Sequence, residues 1–313
     1  MGEKIVFKQS CKLMGNHFEL SAIAEDEKWA NERIGAGINE IRRIEKLLTT
    51  FSDDSETNLV NRNAGIEPVK VSRETFSLIE RSIRISRVTQ GAFDITYGSI
   101  DKRLWNFDQN MTELPDKETA RKMVGLINYR NVRLNKDECS VFLSEKGMRI
   151  GFGGIGKGYA AERAKSVMKE MGVVSGVVNA SGDLTTWGNQ PNGNPWTIGI
   201  VNPNISNQLF SWFSISDLAV ATSGNYEKYV MIGGKRYSHT IDPRTGLPVH
   251  GIKSVTIITT NAEIADAMAT PVMIMGIRTG IDLINQMNNI EAIIVDDNDN
   301  LYTSKNVNIK QPL

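Results

Sequence analysis

Three stretches of this sequence bring together residue types that do chemistry. The first is GFGGIGKGYAAERAK, Gly151 to Lys165. Gly151, Gly153 and Gly156 satisfy the dinucleotide pattern G-x-G-x-x-G, while Gly151, Gly156 and Lys157 satisfy most of the phosphate-loop pattern G-x-x-x-x-G-K-[ST]. Neither fits in full. A dinucleotide fold needs a parallel strand before the glycines, whereas MRIGF reads as the return strand of a hairpin begun by SVFLS. A phosphate loop needs Ser or Thr after the lysine to reach magnesium, and this chain has Gly158. What survives is the physics common to both, a backbone that comes close to a ligand and a helix N-terminus that favours an anion such as phosphate. A tight turn whose glycines serve packing alone fits the isolated motif equally well.

The second stretch, AEIADAMATPVM, places Asp266 and Thr270 four apart on a predicted helix, hence on one face. A carboxylate and a hydroxyl so arranged suit magnesium or calcium, and the apolar neighbours Ile264, Ala265, Ala267, Met268 and Ala269 argue against a solvated face. Pro271 is expected to disturb the helix directly after Thr270. The third stretch, YSHTIDPRTGLPV, holds His239, one of three histidines, on a strand just before a turn built from Asp242, Pro243 and Gly246. A histidine held there is a candidate general base or ligand; a strand histidine with a satisfied hydrogen bond is the plainer alternative. Small polar segments at QGAFDIT (Asp94), NASGDL (Ser181, Asp183) and ATSGNYE (Ser223, Asn225) read as loops that approach one ligand.

The elements that position these stretches follow from periodicity. Ile5 to Ile23 alternates as a strand pair, and Glu25 to Leu48 carries Ile34, Ile38, Ile41, Ile44, Leu47 and Leu48 at helical spacing. A second helix starts at the N-cap candidate Ser72 and ends near Thr89. Val132–Leu134, Ser140–Leu143 and Met148–Phe152 read as a meander of short strands. A helix with Ala160, Ala164, Val167, Met168 and Met171 on one face closes at Gly172, and the strand Ser175–Asn179 follows. Strands are expected at Trp196–Val201, Phe210–Ile215, Tyr229–Ile232 and Ser254–Thr259, with helices from Asn261 and Thr279. The class is α+β, rich in antiparallel pairing, and residues 1–313 show no repeat or linker that would divide them.

Composition narrows the function. Lys plus Arg equals Asp plus Glu at 36 each, which leaves no basic field for a nucleic acid. Cys11 and Cys139 have neither disulfide-framework nor zinc spacing. The N-terminus MGEKIVFKQS lacks the apolar core of a signal peptide, and no apolar run reaches the ~18 residues of a membrane span.

Taken in order, MGNHFEL, GAFDIT, GGIGKGYAAERA, NASGD, ATSGNYE, SHTIDPRTGLPV and ADAMAT resemble the ApbE family of flavin transferases, from about Met14 to the last strands. The resemblance implies one α+β domain of mainly antiparallel sheets with packed helices, ApbE-like and T-fold-like. It also implies an enzyme that uses magnesium and FAD to attach FMN by a phosphoester to a threonine of an acceptor protein, releasing AMP. By the same resemblance, Asp266, Thr270 and the carbonyl of Gly154 correspond to the magnesium ligands and His239 to the base. Met14, Phe51, Ala92, Phe93, Asp94, Gly151, Lys157 and Ile241 correspond to FAD contacts. Many family members carry Asp where this chain has Gly151. No D/S-G-A-T acceptor sequence occurs here, so the chain is expected to be the transferase and not its target. Family members are commonly exported, often as lipoproteins, which leaves localisation open. An FAD hydrolase yielding FMN and AMP, or a flavin binder without catalysis, are the competing expectations.

Overall fold

A computed structural model describes residues 3–201, 209–224 and 228–307. The chain opens with the hairpin β1 (Ile5–Leu13) and β2 (Asn16–Ala24), followed by the helices α1 (Glu27–Leu48) and α2 (Glu56–Arg62). Next come β3 (Val69–Lys70), α3 (Arg73–Val88), α4 (Lys117–Met123), β4 (Val132–Asn135) and β5 (Ser140–Leu143). The glycine motif leads into α5 (Gly156–Glu170), then β6 (Gly176–Ala180), β7 (Asp183–Trp187), β8 (Trp196–Val201), β9 (Leu209–Ile215) and β10 (Ala219–Gly224). The remainder is β11 (Tyr229–Ile232), β12 (Lys235–Ile241), β13 (Pro248–His250), β14 (Ile252–Thr259), α6 (Ala262–Met275), α7 (Ile277–Ile284), β15 (Ile290–Asp296) and β16 (Leu301–Thr303).

Eight strands form one antiparallel sheet in the order β1-β2-β6-β7-β10-β14-β15-β16. Helix α1 packs on β1 and β2, α5 on β6 and β7, α6 on β10 and β14, and α7 on β15, so the helices form a layer along the sheet. The layer holds because each helix turns an apolar stripe inward: Ile34, Ile38, Ile41 and Ile44 of α1 meet Phe18 and Leu20 of β2 in one core. Three smaller sheets stand apart, β11-β12-β13 carrying His239, β3-β5-β4 beside α2, and the pair β8-β9. The expected α+β class with antiparallel sheets is what the chain adopts. Ser72 caps α3 by accepting the Thr75 amide, and Asn261 caps α6 by accepting that of Ile264.

Three local expectations need correction. Met148–Phe152 is not a strand, and β5 pairs with β3 and β4 instead of with it. Side chains take the hydrogen bonds a strand would have used. Asn61 of α2 accepts the Ile150 amide at 2.7 Å and donates to the Ile150 carbonyl at 3.1 Å. Ser99 Oγ accepts from the Arg149 amide at 2.8 Å, and the Ile95 carbonyl accepts from the Gly151 amide at 3.0 Å. The last helix begins at Ile277 and not at Thr279, because Gly276, with φ of 83°, ends α6 and starts α7 at once. Helix α6 also runs on through Pro271 to Met275; the missing Pro271 amide frees the Ala267 carbonyl without ending the helix.

Helices α5 and α6 approach more closely than ordinary side chains allow. A Cβ at Gly158 would lie 2.1 Å from the Ala262 carbonyl oxygen and 2.7 Å from Asp266 Cβ. The Gly158 amide instead donates to Asp266 Oδ2 at 2.8 Å. Replacing Gly158 by Ala is therefore expected to cost about 3 kcal/mol in urea unfolding, whereas Gly151→Ala, with no atom within 4 Å of its Cβ, leaves the midpoint unchanged. Asn61→Ala, which strands two buried main-chain groups of Ile150, is expected to lower stability by roughly 2 kcal/mol or more by the same measurement.

Candidate active site

Helix α5 begins without a side-chain cap of its own, its N-cap position being Ile155. Asp266 supplies one from the neighbouring helix, so a first-turn amide is satisfied by a carboxylate that the helix dipole also favours. One residue earlier, Lys157 turns its ammonium between two carboxylates. Its Nζ donates to Asp183 Oδ2 and lies 3.7 Å from Asp266 Oδ1. Asp183, at the start of β7, is pinned from its other oxygen, which accepts the Thr222 amide at 3.1 Å. Asp266 is 7% exposed and Asp183 5%, so two buried carboxylates face one ammonium and the group carries a net negative charge. Burial pushes the Asp266 carboxyl up to about 6, with the Lys157 ammonium pulling it back. Burial by itself lowers the Lys157 pKa, but Asp266 and Asp183 outweigh it and hold the ammonium above its ordinary value.

One turn along α6 from Asp266, Thr270 Oγ1 lies 3.3 Å from Ser223 Oγ, at the end of β10. Gly154 sits against the Phe93 ring, which a Cβ there would meet at 3.3 Å. Asp183, Asp266, Thr270, Gly154 and Lys157 all line a single cavity of about 930 Å³.

The rim of that cavity comes from turns. Met14 and Gly15 form the two-residue β1–β2 turn with φ of 51° and 71°, and the Met14 amide donates to Glu45 Oε1 at 2.6 Å. Phe51 is 99% exposed and overhangs the cavity with no packing partner to account for an aromatic there. Ala92, Phe93 and Asp94 follow α3, and Asp94 caps the short 3-10 turn Ile95–Ser99. Its Oδ1 accepts from the Thr96 amide and hydroxyl, and its Oδ2 from the Tyr129 amide. Asp94 thus orders the GAFDIT loop, and burial raises its pKa against those bonds. Burial pushes the Tyr97 phenol to about 12, against the main-chain amide of Ile241, which bonds the phenol oxygen and pulls the other way.

His239 lies on β12, exposed at the same cavity. Its Nδ1 is 3.2 Å from the Lys228 carbonyl oxygen, to which it donates, and this leaves the Nε2 lone pair free. The Phe107 ring meets the imidazole edge-on with centroids 6.3 Å apart. Partial burial and the nearby Lys228 charge lower the His239 pKa, while the Lys228 carbonyl opposes them, so the imidazole is neutral at pH 7.

Met14, Phe51, Ala92, Phe93, Asp94, Gly151, Gly154, Lys157, His239, Ile241, Asp266 and Thr270, the residues that the family resemblance marks, line this one cavity; Ser181, expected to approach the same ligand, does not, its hydroxyl bonding the His17 main chain instead. Asp183, Ser223, Thr222, Tyr97 and Glu45 line it as well. NASGDL and ATSGNYE pointed toward Asp183 and Ser223, although only Ser181–Gly182 is a turn: Asp183 begins β7, and Ala221–Gly224, expected as a loop, is the end of β10 because it pairs with β14. Nothing in the sequence pairs Asp183 with Lys157, 26 positions away. Asn225 lies outside the described residues.

The sequence model of the ApbE family matches residues 14–294. A Klebsiella pneumoniae FAD:protein FMN transferase is 33% identical over 306 residues, covering 97% of this chain and 93% of that protein. The crystal structure of the ApbE protein of Thermotoga maritima superposes with a TM-score of 0.84 at 28% identity, covering 96% of this chain and 97% of that one. The apo flavinyl transferase ApbE of Pseudomonas stutzeri superposes with a TM-score of 0.82 at 25% identity, covering 96% and 94%. With a family match across most of its length and every motif of the sequence gathered on one cavity, this chain belongs to the ApbE family.

Proposed function

We propose that the protein transfers FMN from FAD to a threonine hydroxyl of an acceptor protein, with magnesium, releasing AMP. The observation that carries this reading is the convergence on one cavity of an oxygen donor set, an ammonium and a neutral imidazole. Asp266 Oδ1, Thr270 Oγ1 and the Gly154 carbonyl are hard oxygens that would hold the metal, and the surplus carboxylate charge beside Lys157 asks for a further cation. Among the described residues no group of three or more His, Cys, Asp or Glu side chains gathers as a metal centre, so the donors present suit magnesium completed by water and phosphate better than zinc. Held there by Asp266, Thr270 and the Gly154 carbonyl, magnesium would neutralise charge on the pyrophosphate oxygens.

The chain's own groups supply the remainder. Lys157 and the α5 N-terminus hold the pyrophosphate. Met14, Phe51, Ala92, Phe93, Asp94, Gly151 and Ile241 give the walls that receive the FAD. His239 Nε2 takes the threonine proton while the threonine oxygen bonds to the FMN phosphorus; the bond from that phosphorus to the bridging oxygen breaks, and AMP leaves with the electron pair.

Incubation with FAD, magnesium and a Ser-Gly-Ala-Thr peptide is expected to add one FMN phosphoester to the peptide, seen by mass spectrometry, with equimolar AMP; Asp266→Ala abolishes both. AMP with free FMN and an unmodified peptide would show a hydrolase, and intact FAD a binder without catalysis. With saturating metal, transfer is expected to fall as pH drops below the ordinary histidine value of ~6.5, because the lowered pKa of His239 keeps its base form dominant down to that point. His239→Gln should lose at least ~10²-fold in rate and lack that acid limb.

A further inference from the structure

Lys157 and magnesium compete for the same carboxylate. The ammonium lies 3.7 Å from Asp266 Oδ1, the oxygen left over once Asp266 Oδ2 has accepted the Gly158 amide. A magnesium ligand distance is about 2.1 Å, so an ammonium closed fully onto Oδ1 would take the oxygen the metal needs. What keeps it from closing is Asp183, whose Oδ2 accepts the Lys157 Nζ directly. Asp183 cannot follow the lysine inward, because its Oδ1 accepts the Thr222 amide of β10 and Thr222 Oγ1 in turn bonds Thr256 Oγ1 of β14 at 2.9 Å. Two strands of the main sheet thus anchor the carboxylate that holds the ammonium.

We propose, resting on the magnesium reading above, that Asp183 is a positioning residue: it parks the Lys157 ammonium at the mouth of the metal site, leaving Asp266 Oδ1 open to the cation and the ammonium ready for the pyrophosphate. The effect of Asp183 on metal binding then acts through Lys157. A carboxylate that contributed only its charge, or that ligated the metal itself, would act whether or not the lysine were present.

The test is a double-mutant cycle in Mn2+ affinity without FAD, with free Mn2+ counted by its electron paramagnetic resonance signal. Asp183→Asn, which keeps an oxygen for the Thr222 amide, is expected to weaken Mn2+ binding about tenfold in the otherwise native chain but less than about threefold in a Lys157→Met background. Equal weakening in both backgrounds, or none in either, overturns the proposal. Should circular dichroism show that Asp183→Asn does not fold, Asp183→Ser is read in the same two backgrounds with the same outcomes. Asp266→Ala separates the two layers of inference: Mn2+ bound as tightly as by the native chain removes the metal site itself, whereas loss of Mn2+ with no coupling between Asp183 and Lys157 removes the parking role alone.

Discussion

The hydrogen bond from the Gly158 amide to Asp266 Oδ2 is the constraint on which the rest of the site depends. It forms because α5 meets α6 at a distance only glycine tolerates, and it forces what surrounds it. Because residue 158 has no room for a side chain, the α5 motif offers no hydroxyl at the position where a phosphate loop carries one, and the side-chain oxygens nearest Lys157 come from α6 and β7 instead. Because Asp266 caps α5, its other oxygen is directed beside Lys157, one residue before the capped amide. The glycine that departs from the phosphate-loop pattern is thus what sets the geometry replacing that pattern.

The charge balance follows from this arrangement. Burying two carboxylates against one ammonium is unfavourable unless something adds positive charge, and the upward shift of Asp266 expresses that unfavourable state. The main sheet tolerates it because the carboxylates are held by main-chain donors: Asp183 by Thr222 and Asp266 by Gly158. The α5 and β7 elements that bring Lys157 to Asp183 are therefore both scaffold and electrostatic device. Their connection through β6, in a sheet whose neighbours are antiparallel, places residues 157 and 183 side by side.

How much of this was legible in the sequence depended on whether the signal was local. The helical face that puts Asp266 and Thr270 one turn apart, the Ser72 cap, the start of α6 at Asn261, and the antiparallel class are set by near neighbours, and the structure keeps them. Met148–Phe152 misled because its apolar residues match a strand, while its hydrogen bonds are supplied by Asn61 and Ser99, 89 and 50 positions away. The same distance hid the pairing of Asp183 with Lys157: a carboxylate in a tight hairpin turn reads as turn chemistry until the sheet order is known. Pro271 misled for the opposite reason, since tertiary packing along α6 outweighs the loss of one helical hydrogen bond.

The site also draws its groups from two different sheets. Asp183, Asp266, Thr270 and Lys157 belong to the main sheet and its helical layer, whereas His239 sits on the separate sheet β11-β12-β13, oriented by Lys228 and flanked by Phe107 from the loop before α4. On the proposed function, the groups for metal and pyrophosphate are held by the main sheet and its helices, and the group that would accept the nucleophile's proton by a small sheet. On the same proposal, sequence change in the small sheet and its flanking loop would bear on the incoming hydroxyl while leaving Lys157, Asp183 and Asp266 in place. If the proposed base role of His239 holds, the residues that orient it, Lys228 and Phe107, are where the choice between a threonine hydroxyl and water would be made, apart from the glycine motif.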